Sequence, residues 1–295
     1  MMTTMVLGKI RHFANRFPLG RRNSLLPRVM RRLFRTASGQ AVVDDFDGAF
    51  QMRLDLAEHM QRRIFWTGYY NREIVALLDK LIEPGMVVLD IGANIGEITL
   101  VAAKRTTERG QVIAFEPMSA IADQLEEHVQ SNSLEWVTVV RAGLSDHCGE
   151  AAIYNACAQW DDSEPNRGLG SLYADQPNAK PVQSIALLTL DDYLQKAPIK
   201  RLDIIKIDIE GAELPCLKGA LDTLRRFRPM LIIELQAETS KNAGYEQTDI
   251  LDLLAGLGYE FQSIGQNGRL ERLARNDLRD FQNVLCTHTA GAARP

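Results

Sequence analysis

Apolar residues alternate, over most of the chain, between short continuous runs and positions at helical spacing. From about residue 70 onward the two patterns follow each other repeatedly, which is typical of βαβ units with a mainly parallel sheet. The predicted strands are residues 86–91, 111–115, 136–141, 203–207 and 230–235. Two further runs, 260–264 and 281–286, are joined by a stretch too short for a long crossover helix. We therefore predict an α/β protein whose last two strands pair antiparallel.

The first 43 residues follow a different pattern. Apolar residues recur there at helical spacing, and nine arginine or lysine residues accompany them without a single acidic residue. This predicts a basic amphipathic helical extension over residues 1–43. Two arrangements fit it: peripheral contact of residues 1–40 with an anionic membrane surface, and a helical hairpin packed on the domain.

Composition narrows the class of protein. The 295 residues are 45% hydrophobic and 24% charged, which fits one sizeable domain with appendages. No apolar stretch approaches the roughly 18 residues of a membrane helix, and the four cysteines have no CxxC spacing. We expect a cytoplasmic protein, peripheral at the inner face of the membrane if the arm binds there. Beyond the arm, 25 basic and 38 acidic residues give a net charge of −13, which argues against a nucleic-acid substrate.

A glycine loop follows the first predicted strand. It reads Asp90-Ile-Gly-Ala-Asn-Ile-Gly96 and leads into a helix. Gly92 and Gly96 permit a tight turn and the close approach of a ligand, and the start of the helix offers unpaired N–H groups. Asp90, at the end of the strand, can favour a cationic amine or sulfonium. Asn94 stands where dinucleotide-binding loops carry the glycine that lets the backbone approach a pyrophosphate.

A second acidic residue, Glu116, ends the next strand 20 residues after Gly96. A carboxylate at this position can accept hydrogen bonds from both hydroxyls of a ribose. NAD-dependent enzymes share this feature, so an NAD-type Rossmann oxidoreductase stays an alternative, although Asn94 and the antiparallel ending argue against it. A non-catalytic, membrane-associated scaffold that keeps the fold is a further alternative.

These segments and later ones, taken in order, resemble the FkbM family of S-adenosylmethionine-dependent methyltransferases over roughly residues 65–287. The resemblance is carried by DIGANIG (90–96), AFEP (114–117), GLSD (143–146), LDDY (190–193), IKIDIEGAE (205–213) and NVL (283–285). It implies a Rossmann-like class I methyltransferase fold with a mainly parallel seven-stranded sheet and an antiparallel terminal strand. The methyltransferase domain would occupy residues 44–289, with an inserted loop at about 155–181 and a tail at 290–295.

The resemblance also implies the cofactor, S-adenosyl-L-methionine, and its contacts. Gly92, Asn94 and Gly96 would line its methionine part, and Glu116 its ribose. Ser145 and Asp146, after the third strand, would lie beside the adenine; an Asx turn is the competing role for Asp146. The residue after Gly96, often aromatic in relatives, is Glu97 here.

Two carboxylates at the end of the fourth strand are the candidate catalytic groups. Asp208 and Glu210 are two residues apart, so both face one way if the strand extends that far. A general base assists methyl transfer to an alkyl hydroxyl, which otherwise depends mainly on alignment. Glu213 is expected to be structural, in the first turn of the next helix. Glu234 can converge on the same region, but without histidine or a clear oxygen-ligand spacing we expect no metal.

The polar segment 155–181 is the candidate acceptor site, because loops of this length are usually functional or disordered. Trp160 and Tyr173 offer stacking faces, while Asn166 and Ser171 lie in a run that resembles a family segment ending in Gly-Ser-Leu. A mobile surface loop is the competing reading of the same composition. We predict an O-methyltransferase acting on a hydroxyl of a sugar, glycolipid or secondary metabolite, with a small-molecule or glycan acceptor as its partner.

Overall fold

The structure, a computed structural model, describes residues 7, 8, 11, 29, 38–155, 170–173 and 179–291. Its strands are β1 (Gln40–Phe46), β2 (Phe50–Asp55), β3 (Val87–Ile91), β4 (Gln111–Phe115), β5 (Val137–Val140), β6 (Gly143–Leu144), β7 (Gly149–Asn155), β8 (Gly170–Ser171), β9 (Gln183–Leu188), β10 (Ile204–Ile207), β11 (Met230–Gln236), β12 (Tyr259–Gly265), β13 (Arg269–Arg272) and β14 (Phe281–His288). Its helices are α1 (His59–Thr67), α2 (Arg72–Leu81), α3 (Glu97–Thr106), α4 (Ser119–Ser131), α5 (Leu190–Lys196), α6 (Glu213–Lys218), α7 (Leu221–Phe227), α8 (Ala237–Asn242) and α9 (Gln247–Gly256).

The main sheet has the strand order β13-β12-β14-β11-β10-β3-β4-β5. Strands β5, β4, β3, β10 and β11 run parallel, whereas β14 pairs antiparallel with both β11 and β12. This confirms the predicted α/β class I methyltransferase fold and the antiparallel terminal pair. The sheet gains an eighth, edge strand, β13, whose residues are mostly exposed and polar and which therefore lacks an apolar signal.

The core lies on both faces of this sheet because the central strands are buried on both sides. Val88, Ile204 and Ile232 belong to the cluster beneath helices α1–α3. Their neighbours in the chain pack on the opposite face with helices α6, α7 and α9. Strands covered on both faces read as continuous apolar runs, and this is why the sequence predicts their positions closely.

Two smaller sheets complete the described fold. Strands β1 and β2 form an antiparallel hairpin, so the predicted boundary at residue 43 falls inside β1. Strands β6, β9, β7 and β8 form a second sheet, in that order. The last of them, β8, carries Ser171 and brings one described piece of the predicted 155–181 loop to the main sheet.

The amino-terminal arm lies largely outside the described residues, apart from Leu7, Gly8, Arg11 and Val29, which have helical backbone. Leu7 belongs to the core cluster and is 2% exposed. Arg11 Nε donates to the Phe65 carbonyl at 2.7 Å, and its guanidinium pairs with Asp45 at 2.6 Å. At these two positions the arm packs on the domain. No helix in the described part of the chain is long and apolar enough to cross a membrane.

Candidate functional site

The glycine loop between β3 and α3 is built on left-handed backbone. Gly92, Asn94 and Gly96 have φ values of +77°, +50° and +96°. Asparagine tolerates this region better than most residues with a side chain, because its short polar group bonds locally; here Asn94 Oδ1 accepts the Ile95 N–H at 2.8 Å. The N–H groups of Gly92 and Ala93 both donate to the Phe115 carbonyl at 3.0 Å, which ties the loop to the end of β4.

Glu116 locks the loop from the neighbouring strand. Its two carboxylate oxygens accept the N–H groups of Asn94 and Met118, each at 2.9 Å. The side chain is buried, and this burial raises its pKa to about 7. A carboxylate has about four lone-pair directions, so two remain for a ligand beside the loop.

A buried ion-pair chain runs beneath the loop. Lys206 Nζ lies 3.2 Å from Asp208 Oδ2 and 3.8 Å from Asp90 Oδ1, and it donates to the Gly92 carbonyl at 3.3 Å. The charges of Asp208 and Asp90 outweigh burial and raise the pKa of Lys206, so it stays charged. Burial raises the pKa of Asp90 despite Lys206 and the Thr99 hydroxyl, which donates to Asp90 Oδ2 at 2.6 Å. Of the two carboxylates, Asp208 is therefore the main ion-pair partner of Lys206.

Three carboxylates converge at the carboxyl ends of β10 and β11. One oxygen from each of Asp208, Glu210 and Glu234 lies within 4.8 Å of the others, an arrangement that could also hold a metal ion. Burial, and then the charges of Asp208 and Glu210, raise the pKa of Glu234 well above its usual value. Lys206 already supplies positive charge to Asp208. That the site requires no metal stays a prediction.

The turn that follows Asp208 is held by buried groups. Glu210 has φ +49°, a left-handed backbone that costs free energy in a residue with a side chain, whereas Gly211 has φ +100°, which glycine adopts readily. Glu213 accepts the N–H groups of Ile209 and Gly211 at 3.1 and 3.0 Å. The Tyr245 hydroxyl lies 2.9 Å from Glu213 Oε2. Glu213 thus fixes the backbone on both sides of Glu210.

Two of the four residues predicted for the acceptor site, Ser171 and Tyr173, lie in the described part of the chain. Ser171 Oγ donates to the Glu210 carbonyl at 2.8 Å, and the Tyr173 N–H donates to Ser171 Oγ at 3.1 Å. The Tyr173 ring lies against Gly211. The structure therefore brings these two predicted acceptor residues to the turn that carries Glu210. The other two, Trp160 and Asn166, lie outside the described residues.

Ser145 and Asp146 follow β6. Ser145 is buried, and its Oγ lies 3.3 Å from Asp146 Oδ1, while His147 Nδ1 lies 2.7 Å from the same oxygen. The hydrogen bond from His147 lowers the pKa of Asp146, which keeps the carboxylate ionised. A hydrogen-bond acceptor is thus present beyond β6, as an adenine amine requires.

Tyr70 is a largely buried residue near the site. Burial raises its pKa, the Arg63 charge lowers it, and the charges of Glu234, Asp208 and Glu210 raise it further, so Tyr70 lies within electrostatic range of the three carboxylates. Glu97 holds it there by accepting the Tyr70 N–H at 2.5 Å and the Asn71 N–H at 3.1 Å. The signal in the sequence is the unusual acidic residue after Gly96, but its partner lies 27 residues earlier.

Comparison with known proteins gives one family. The family model described as "Methyltransferase FkbM domain" matches residues 90–261, more than half of the chain. The 2-O-methyltransferase NoeI of Sinorhizobium fredii is 27% identical over 169 residues, which are 54% of this chain and 65% of NoeI. The AMB antimetabolite synthetase AmbE of Pseudomonas aeruginosa is 26% identical over 248 residues, 75% of this chain and 11% of AmbE. The chain thus spans less than two thirds of the length of either relative.

Among solved structures, the methyltransferase FkbM from Methylobacillus flagellatus aligns with a TM-score of 0.43 and 17% identity. That alignment covers 77% of this chain and 52% of the other. Because the TM-score lies below 0.5, the comparison that decides the family is the sequence match over residues 90–261.

Proposed function

The chain belongs to the FkbM methyltransferase family, and from that membership we propose that it is an S-adenosylmethionine-dependent O-methyltransferase. Its acceptor is a hydroxyl of a sugar, glycolipid or other small molecule. The relative NoeI is named a 2-O-methyltransferase, which supports oxygen as the accepting atom. The acidic body, with a net charge of −13 beyond the arm, argues against a nucleic-acid acceptor.

The residues present fit this cofactor. Glu116 keeps lone pairs free beside the loop and is oriented by two backbone N–H groups, as recognition of a ribose diol requires. Asp90 Oδ1 is buried and accepts no hydrogen bond from any described residue. Its carboxyl, like the neighbouring cluster, favours a ligand that carries positive charge. Gly92, Asn94 and Gly96 would hold the methionine part, and Ser145 and Asp146 the adenine.

When bound, S-adenosylmethionine supplies an activated methyl group on a sulfonium. The protein's task is then to align the acceptor oxygen and to remove its proton. We assign proton removal to the carboxylate cluster of Asp208, Glu210 and Glu234, which lies at the carboxyl ends of β10 and β11. Ser171 and Tyr173 lie against the turn that carries Glu210. Trp160 and Asn166, which lie outside the described residues, belong to the proposed acceptor site by sequence alone.

The observation that carries the proposal is the pair of bonds by which buried Glu116 fixes the Asn94 loop. Equilibrium binding of S-adenosylhomocysteine to wild type, Glu116→Ala and the exposed control Glu135→Ala tests it. We expect wild type and the control to bind alike, and Glu116→Ala to bind at least tenfold more weakly, a loss of about 1.4 kcal/mol. Equal binding by all three proteins, or binding of NADH in place of S-adenosylhomocysteine, would refute the site.

The basic arm adds a proposal about location: residues 1–40 contact the inner face of the membrane peripherally in a cytoplasmic protein. Nine basic residues and no acidic ones support it. Co-sedimentation of the full chain with phosphatidylserine vesicles, compared with phosphatidylcholine vesicles, measures it. Binding to neither kind of vesicle leaves the arm with packing contacts such as those of Arg11.

A further inference from the structure

We propose that Glu234, backed by the Asn283 carboxamide on the neighbouring strand, is the base that takes the proton of the acceptor hydroxyl, while Asp208 stays ion-paired with Lys206. This assignment rests on the proposed methyltransferase function and deepens it. It chooses one of three adjacent carboxylates, and it adds Asn283 as a positioning residue.

Strand register places the two residues together. Glu234 on β11 lies directly opposite Asn283 on β14 in an antiparallel pair. Side chains of directly opposed residues project from the same face of a sheet, with Cβ atoms roughly 4.5–5.5 Å apart. On the other side of Glu234, β10 runs parallel to β11, and Ile207 pairs with Ile233, so Asp208 follows at the level of Glu234. Glu234 therefore stands between Asp208 and Asn283.

The two carboxylates differ in their partners. Asp208 has the Lys206 ammonium at 3.2 Å, and an adjacent cation stabilises the ionised form and weakens the carboxylate as a base. Glu234 makes no salt bridge within the described part of the chain. The charged groups that face it are Asp208, Glu210 and Glu213, with Lys206 as the opposing cation. Three acidic neighbours and one cation favour uptake of a proton at Glu234.

Asn283 offers a place for that proton to bond. Its Oδ1 atom is buried and has no hydrogen-bond partner in the described residues, which is costly for a polar atom. A carboxyl group that has gained a proton becomes a donor, whereas an ionised carboxylate is an acceptor only. Protonated Glu234 can therefore donate to the orphaned oxygen and remove this cost.

The reaction balances without a further reagent. The acceptor oxygen forms a bond to the methyl carbon as the carbon–sulfur bond breaks, and that electron pair remains on sulfur. The acceptor O–H bond breaks, its electron pair stays on oxygen, and the proton moves to a Glu234 carboxylate oxygen. The products are the methyl ether, neutral thioether and protonated Glu234, which returns its proton to water.

The test needs no acceptor. S-adenosylhomocysteine has no charge at the methyl position, whereas sinefungin carries an ammonium there. A cation beside Glu234 favours its carboxylate, so binding of sinefungin should release more protons than binding of S-adenosylhomocysteine, by roughly one per site at most. Calorimetric titration in two buffers of different ionisation enthalpy, repeated between pH 6 and 8, measures the difference.

We expect Glu234→Gln to abolish the difference in proton release and the exposed control Glu260→Gln to retain it. Asn283→Leu removes the bonding partner of the protonated form, so it should shift the half-maximal difference to lower pH, which a purely structural residue would not do. If Glu234→Gln fails to fold, Glu234→Asp keeps the carboxyl and should preserve a shifted difference.

Other outcomes overturn the assignment. Equal proton release for the two ligands in wild type means that no base titrates beside the methyl position. Loss of the difference in Asp208→Asn, with retention in Glu234→Gln, makes Asp208 the base. Failure of wild type to bind either ligand contradicts the proposed methyltransferase function itself and is distinguishable from both.

Discussion

Gly92 packs directly on the carbonyl of Asp208. A Cβ atom at position 92 would lie 1.9 Å from the Asp208 oxygen, far inside van der Waals contact. Since Gly92 begins the proposed cofactor loop and Asp208 begins the carboxylate turn, the two halves of the site touch through their backbones. Lys206, which bonds to the carbonyl of one and the carboxylate of the other, reinforces the contact.

Gly92→Ala should therefore disturb both halves of the site. The new methyl group must push β10 away from β3, and the left-handed backbone adds strain, so we expect a loss of more than about 1 kcal/mol in unfolding free energy. We also expect S-adenosylhomocysteine binding to be lost. Chemical denaturation and calorimetry measure the two effects. The control is Gly256→Ala in α9, where a Cβ meets no atom within 4 Å and stability should not fall.

Cofactor affinity should depend on pH through Glu116. Its pKa is raised to about 7, and ribose hydroxyls that donate to the carboxylate favour the ionised form. S-adenosylhomocysteine should bind progressively more weakly as pH falls below about 7, by up to roughly tenfold per pH unit. In Glu116→Gln the affinity should be weaker and nearly independent of pH between 5.5 and 7.5. Glu97→Gln, which removes another buried carboxyl whose pKa is raised to about 7, should keep the wild-type slope.

Glu97 should make the unliganded protein less stable as pH rises. Its pKa is raised from 4.5 to about 7 by burial, so between these values the folded state binds more protons than the unfolded state. Stability is then greatest at the acidic end and declines toward pH 7, with a contribution on the order of 3 kcal/mol. Thermal unfolding at pH 5 and pH 8 should show a smaller decline in Glu97→Gln than in wild type. An unchanged decline would contradict the assignment of this carboxyl.

Arg11 should contribute to domain stability. Its buried guanidinium bonds to the Phe65 carbonyl and pairs with Asp45, which is partly exposed. Arg11→Ala leaves the carbonyl without this donor, and we expect a loss of roughly 1–2 kcal/mol. Differential scanning calorimetry checks it against Arg269→Ala, whose side chain is 79% exposed and should matter little. A loss as small as that of the control would show that the arm does not dock in solution.

The central strands could be predicted because they are buried on both faces and leave unbroken apolar runs. The predicted fourth strand at 203–207 and the observed β10 at Ile204–Ile207 differ by one residue. The hairpin β1–β2 leaves no unbroken apolar run, because buried positions alternate with exposed or half-buried ones along β2 and along much of β1.

The positions of the residues proposed to bind the cofactor could be predicted for a related reason. Gly92, Asn94 and Glu116 immediately follow strand ends, and parallel strands bring such ends to one edge. Tyr70 and Asn283 could not be placed in this way. Tyr70 is held by a hydrogen bond from its backbone N–H to Glu97, and Asn283 is set opposite Glu234 by the antiparallel register of β14 with β11. Both relationships join residues distant in the chain, and periodicity contains no information about them.

The second sheet, β6-β9-β7-β8, suggests how acceptor choice could diverge while the chemistry stays constant. Ser171 on β8 hydrogen-bonds to the turn that carries Glu210, and β8 belongs to a sheet separate from β3, β4 and β10, which precede Gly92, Glu116 and Asp208. Because β8 pairs with β7 and with no strand of the main sheet, changes on β8 need not alter the main-sheet hydrogen bonds. For protein engineering, the chain between β7 and β9 is a natural unit of exchange: if the proposed acceptor site is correct, we expect chimaeras that replace it between family members to keep S-adenosylhomocysteine binding and to change the acceptor.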